Sequence, residues 1–247
     1  IGHNTSGNSS VISDMSGYRC GACLATEAGF GADIGAERSF NINCRASGLE
    51  PDAAVVVATV RALKVHSGRF RVVAGKPLPP EMVKENPDDV WAGAANLRKQ
   101  VENIRIHGVT PVVAINAFPT DHPSEQAAVR EIAEELGVRS AVCNNFALGG
   151  RGATELAEIV DAAAREPRPF HFLSSSVATL REKIETGPTQ VYWQDGVEYY
   201  PPAAEQIDSF ERNGFGKLSV CIAKTHLSIS SDPKLKGAPT GWKLPVR

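Results

Sequence analysis

The chain carries Thr26-Glu-Ala-Gly-Phe-Gly-Ala-Asp-Ile-Gly-Ala-Glu-Arg-Ser-Phe40 directly after a short apolar run, Ala22-Cys23-Leu24-Ala25. That run is long enough for one buried strand. Asp33 belongs to the residue class that caps helices, with Ala36 and Glu37 in the first turn behind it. The spacing therefore predicts strand, glycine-rich loop, helix. Gly29 and Gly31 let the backbone turn sharply and approach a ligand closely, and the N–H groups of a helix start attract an anion. Glu27 and Asp33 set two carboxylates at the mouth of the loop, a pair able to hold a magnesium shell or to orient an amine. A plain βα turn with a capping aspartate fits the same spacing.

Working outward, Ala53–Thr59 is a β-branched run of the kind found in strands covered on both faces. Val60–Val65 continues it with little interruption, and Lys64 and His66 close the segment, His66 reading as a satisfied surface histidine. Leu97, Val101 and Ile104 recur at helical spacing within Asp88–His107, and Gly108 stands where a helix ends. Pro111–Asn116 is a second buried strand, Glu125–Leu136 a helix and Arg139–Cys143 a short strand. Asn144–Gly152 is a glycine-bearing loop, and Leu156, Ile159, Val160 and Ala163 mark one more helix. Strands alternating with helices predict an α/β fold, a mostly parallel sheet flanked by helices. Ligands in such sheets bind outside the carboxyl ends of the strands, so the loops after Ala25, Ile115 and Cys143 are the candidate binding loops.

Two prolines and two charges at Glu166–Pro169 mark a boundary. It divides the chain into an α/β core, 1–165, and a smaller C-terminal α+β region, 166–247. In the latter, a helix over Val177–Thr186 is expected to stop at Gly187-Pro188. A proline-led helix over Pro201–Asn213 follows, then a strand, Leu218–Ala223, and a polar loop, Ser228–Gly241. At the other end Ile1–Asp14 reads as loop, and Ser16 and Gly17 argue against a helix over Met15–Arg19.

With 42% hydrophobic residues and a net charge of −2 over 247 residues, neither a nucleic-acid surface nor an acidic tail is indicated. No apolar run reaches the roughly eighteen residues of a membrane span, which predicts a cytoplasmic protein with no membrane partner. The chain opens on Ile1 rather than Met, so an upstream segment is expected. Five cysteines are an odd number and are expected to be reduced, buried thiols. Cys20-Gly-Ala-Cys23 lacks the second ligand pair that a zinc site needs.

Asn116-Ala-Phe-Pro-Thr-Asp121 follows the second strand. Asn and Asp in that order occur in guanine-reading loops, but here the Asp is too far along the chain for that use. Without further information, Phe118 and Phe146 read as ordinary core residues.

Thr26–Phe40 resembles the TEAGFGADxGxEKF segment of the formate–tetrahydrofolate ligase family, also called 10-formyltetrahydrofolate synthetase. The stretches Val57–His66, Asn96–Asn103, Pro111–Asp121, Gly214–Thr225 and Gly237–Arg247 are similar to that family in the same order. His3, Asn8, Ser9 and Ser10 match it loosely. The resemblance covers the middle and later part of the family's length. It implies a P-loop NTPase-like sheet and ligation of formate to tetrahydrofolate at the expense of ATP and Mg2+, through formyl phosphate. It also implies small-molecule partners only and the possibility of a homo-oligomer. Within it, Phe118, Pro119 and Phe146 would wall the pterin beside Asn116, where the family more often has Trp at the position of Phe146. Glu27 and Asp33 would be catalytic, with Gly29 and Gly31 on the phosphate side. The family's GxxxxGK[ST] loop is not in this sequence, so the isolated chain is expected not to turn over. A non-catalytic folate- or nucleotide-binding remnant of the same scaffold is the alternative.

Overall fold

The computed structural model describes residues 9–73, 75–167, 169–192 and 194–247, with the backbone alone at Pro188. His3 and Asn8 lie outside the described residues. Contacts divide the chain into two units, one of 52–169 with 234–238, the other of 1–51, 170–233 and 239–247. Residues 1–51, expected in the α/β core, thus group with 170–233.

The first unit is built on three parallel strands, β1 (Ala53–Ala58), β2 (Thr110–Asn116) and β3 (Arg139–Cys143), in the order β1-β2-β3. Val55 pairs with Val112 and Ala114 with Ala141. The alternation of side chains along β2 sends Val113 and Ile115 to one face and Val112 and Ala114 to the other. All four are buried. The first pair packs with Leu97 and Val101 of helix Ala94–Arg105 and Val129 and Ile132 of helix Pro123–Glu135. Helix Thr154–Ala164 contacts all three strands. The layout is the parallel α/β sheet flanked by helices that the alternating pattern predicts.

Val60–His66 is a helix rather than a continuation of β1, because Thr59 turns the chain and caps it by accepting from Ala62 N at 3.0 Å. Gly93 separates helices Pro87–Ala92 and Ala94–Arg105 within the expected single helix. A Cβ there would lie 1.9 Å from Leu63 O, so only glycine lets the two backbones meet. The segment 234–238 is fastened to this unit by two bonds. Gly237 N donates to His66 Nδ1 at 3.2 Å, and Asn96 Nδ2 donates to Gly237 O at 3.1 Å.

In the second unit helix Val11–Cys20 occupies positions expected to be loop and non-helical. Ser10 caps it, accepting from Ser13 N at 3.1 Å. Leu24 packs against this helix at Gly17, where a Cβ would sit 2.8 Å from Leu24 Cδ1. The strand expected over Ala22–Ala25 is absent: Leu24 folds back onto the helix and Ala22, Cys23 and Ala25 stay exposed. The strand expected over Leu218–Ala223 is also absent as a ladder. Its carbonyls go to side chains instead, Leu218 O to Lys183 Nζ at 3.2 Å and Ile222 O to Arg38 Nη2 at 3.4 Å.

Helix Leu180–Val191 runs through Gly187-Pro188, where a stop was expected. Thr186 Oγ1 donates to Glu182 O at 2.7 Å and Thr189 Oγ1 to Glu185 O at 2.9 Å, adding side-chain bonds to the carbonyls on either side of Ile184. Helix Pro201–Arg212 forms as predicted. Short strands β4 (Val197–Tyr199) and β5 (Leu244–Val246) pair in parallel. Leu180, Ile184 and Ile207 form the core beside them.

All five cysteines are free; Cys143 is buried, whereas Cys20, Cys23 and Cys221 are exposed, contrary to the burial expected. No described helix is long and apolar enough to cross a membrane.

Candidate functional site

The predicted residues fall into two groups, one in each unit. In the sheet unit, β2 ends at Asn116 and the chain turns at once through Phe118 and Pro119. Ala117 N donates to Cys143 O at 3.0 Å, so the loop leaving β2 is tied to the end of β3. Phe118 N donates to Asp121 Oδ2 at 2.9 Å, closing the loop on itself. Burial pushes the Asp121 carboxyl up, against the backbone bond from Phe118 and the charge of Arg61. Asn116 and Phe118 are half-buried and Pro119 is exposed.

After β3 the loop is equally constrained. Asn144 N donates to Gly152 O at 2.9 Å, and a Cβ on Gly152 would lie 2.3 Å from Asn144 O. Phe146 rides on the short helix Asn145–Leu148 with 94% of its surface exposed. Its ring is a large apolar face left open to solvent just past the carboxyl end of β3.

In the other unit the Thr26–Phe40 stretch leads into a helical run, 31–47. Wide π turns form Gly31–Ala36 and Ser39–Cys44, and Arg45–Ser47 closes it as α-helix. Gly31 takes φ +73° at the turn into it. Gly35 packs on the loop so closely that a Cβ would meet Gly29 O at 1.8 Å. The loop is thus held against the helix it precedes.

Asp33 is inside the first turn rather than at the cap. Its carboxylate lies 2.6 Å from Lys224 Nζ, and both side chains are buried. Tyr192 OH donates to Asp33 O at 2.7 Å. Burial lowers the Lys224 pKa, and the Asp33 carboxylate works against that shift. Asp33 is therefore committed to Lys224. With Glu27 exposed and no described cluster of three His, Cys, Asp or Glu, these residues do not form a magnesium shell, and no step is assigned to one.

Glu37, one turn on, is the residue the sequence reading left aside although it stood in the motif. Burial lifts its pKa to about 7, against the Asn41 hydrogen bond and the Arg38 charge, with Asp33 raising it further. Asn41 Nδ2 donates to Glu37 Oε1 at 3.1 Å. Glu37 lines a cavity with Arg45, Lys183, Ser174 and Ser176. A carboxyl that titrates near neutrality in a cavity suits proton transfer.

Its stability signature has a definite sign. The folded state holds the proton up to about 7 and the unfolded chain only to 4.5, so stability falls as pH rises through that window. Glu37→Gln is expected to flatten that slope in urea titrations run between pH 4.5 and 7. An unchanged slope would place the proton elsewhere.

Three parallel strands flanked by helices, with loops at their carboxyl ends, make this an α/β protein of the class whose ligands bind outside the carboxyl ends of the strands. The chain belongs to the formate–tetrahydrofolate ligase family, whose profile matches residues 3–247. Similar proteins named formate–tetrahydrofolate ligase include that of Saccharopolyspora erythraea, 65% identical over 247 residues, all of this chain and 44% of the relative. That of Cutibacterium acnes is 56% identical over the same length, again covering 44% of the relative. That of Chloroflexus aurantiacus is 50% identical over 244 residues, 98% of this chain and 43% of the relative. The chain thus spans less than half the length of these relatives.

Proposed function

We propose that this chain is part of an enzyme that ligates formate to tetrahydrofolate with ATP, giving 10-formyltetrahydrofolate through formyl phosphate. The observation that carries the reading is the pair of tied loops after β2 and β3, which bring Phe118 and Phe146 to the carboxyl ends of neighbouring strands. Flat faces at that place suit a pterin ring, with Pro119 and Asn116 beside it. The Glu27–Gly31 loop, in the other unit, is read as phosphate-side from the family likeness, and its carboxylate is exposed. Asp33 acts through Lys224. The chemistry asks for charge neutralisation of phosphates and a formyl carbon held dry beside the amine.

In the full-length protein, Phe118→Ala is expected to weaken tetrahydrofolate binding about two- to twelvefold, from a stacking contribution of roughly 0.5–1.5 kcal/mol. ATP binding should stay within twofold. Phe146→Trp should preserve or tighten tetrahydrofolate binding. Fluorescence titration reads both variants, and unchanged tetrahydrofolate affinity in Phe118→Ala would overturn the reading.

A further inference from the structure

Arg61 stands two residues past the Thr59 cap, where the chain leaves β1. Its guanidinium carbon lies 4.0 Å from the centroid of the Phe118 ring, and Nη2 donates to Thr120 Oγ1 at 2.8 Å. Three features of one loop are thereby engaged: the ring of Phe118, the hydroxyl of Thr120 and, through its charge, the carboxyl of Asp121. Nε is shielded from solvent and has no partner among the described residues. A buried donor left unmet opposes folding, so the contacts to Phe118 and Thr120 do not use the whole guanidinium. An apolar side chain would cover Phe118 without that penalty, and a lysine would keep its charge in water.

The planar guanidinium does two things that neither substitute does. It lies flat on an aromatic face, fixing the plane of that ring, and it keeps N–H donors at its edge for a carbonyl or carboxylate. Both properties sit on the residue chosen above as a ligand wall.

We propose that Arg61 is a positioning residue of the crevice: it fixes the Phe118 ring by stacking and supplies the donor edge for an oxygen acceptor carried by the bound folate. The inference rests on Phe118 being a folate wall. The acceptor belongs either to the pterin ring or to the glutamate carboxylates, and the same chemistry serves both.

The test uses the full-length protein, with direct titration of tetrahydrofolate, of a tetrahydropterin lacking the glutamate, and of ATP. Arg61→Ala is expected to weaken tetrahydrofolate binding about tenfold with ATP affinity and melting temperature unchanged. Arg61→Lys should recover little of it, because an ammonium lacks the flat fork. An equal loss for the tetrahydropterin assigns the acceptor to the ring; a loss confined to tetrahydrofolate assigns it to the carboxylates. If Arg61→Ala leaves tetrahydrofolate binding within twofold while Phe118→Ala weakens it, Arg61 has no positioning role and the folate wall stands. If neither variant moves tetrahydrofolate binding, the wall itself falls. Parallel losses of ATP affinity and melting temperature, or full recovery in Arg61→Lys, would reduce Arg61 to a structural charge and overturn the proposal.

Discussion

Asp33→Ala is expected to lower the stability of its unit by roughly 3–5 kcal/mol, the cost of stranding one partner of a buried ion pair. The two charges lie 2.6 Å apart with relative side-chain exposures of 4% for Asp33 and 2% for Lys224. Burial already pulls the Lys224 pKa down, and Asp33 is what opposes that pull. Without the carboxylate, Lys224 must stay charged beside the carbonyls of Thr225 and Ser228 and the face of the Tyr192 ring, or else release its proton.

The helix start adds to the effect, because a negative charge in the first turn is favoured by the helix dipole. Replacing both partners, as Asp33→Leu with Lys224→Met, should recover most of the loss, since two apolar groups leave no charge stranded. Urea unfolding of the two single variants and the double variant decides it. A double variant as unstable as Asp33→Ala would show that the aspartate acts through its helix and not through Lys224.

What the sequence reveals, and what it hides, follows from how far each signal reaches along the chain. β2 is legible because Val112–Ile115 is apolar on both faces, which demands cover on both sides wherever the strand ends up. Helices over 94–105 and 123–135 are legible from Leu97, Val101 and Ile104, and from Val129 and Ile132, with glycine just beyond each. The failures share one cause. Ala22–Ala25 and Leu218–Ala223 have strand composition, but a strand needs a neighbour to take its backbone bonds. Leu24 finds Gly17 instead, and Lys183 and Arg38 take the carbonyls of the second segment. Neither choice is encoded locally.

The site divides in the same way. Phe118, Pro119 and Asn116 could be placed because they directly follow a strand whose ends are fixed. The partner of Asp33 is not legible from its own stretch, since Lys224 lies 191 positions further along, from 33 to 224. Arg61 went unremarked because its role depends on the Phe118 loop being adjacent, which only strand order supplies.

Glu125→Ala is the counterpart in the sheet unit, and its expected loss is of similar size, roughly 3–5 kcal/mol. Lys64 and Glu125 form an ion pair with each side chain 1% exposed. Lys64 Nζ also donates to Met82 O at 3.0 Å and Lys84 O at 2.7 Å, so its donor capacity is filled only with Glu125 present. The carboxylate in turn accepts from Asn86 N at 2.9 Å and from His122 N at 3.1 Å. One side chain therefore joins helix Val60–His66, the 82–86 turn and the start of helix Pro123–Glu135.

Burial alone would raise the Glu125 pKa, but Lys64 and the two backbone donors outweigh it and hold the value below 4.5. A depressed carboxylate stabilises the fold above its unfolded value, and that contribution disappears as pH falls through the folded value. Wild-type stability should thus decline steeply below about pH 4.5, and Glu125→Ala should decline less over the same range. Glu125→Gln keeps an acceptor for the backbone donors while removing the charge, so it separates capping from ion pairing. Recovery of about 1 kcal/mol relative to Ala is the share expected of a helix-start bond. Helix 123–135 begins directly after the Phe118-Pro119-Thr120-Asp121 loop. On the proposed folate site, its loosening should therefore reach ligand binding as well, with tetrahydrofolate affinity of the full-length protein falling alongside stability in Glu125→Ala. Tetrahydrofolate affinity that survives a loss of several kcal/mol would show that the loop is held by Asp121 and the bond to Cys143 alone.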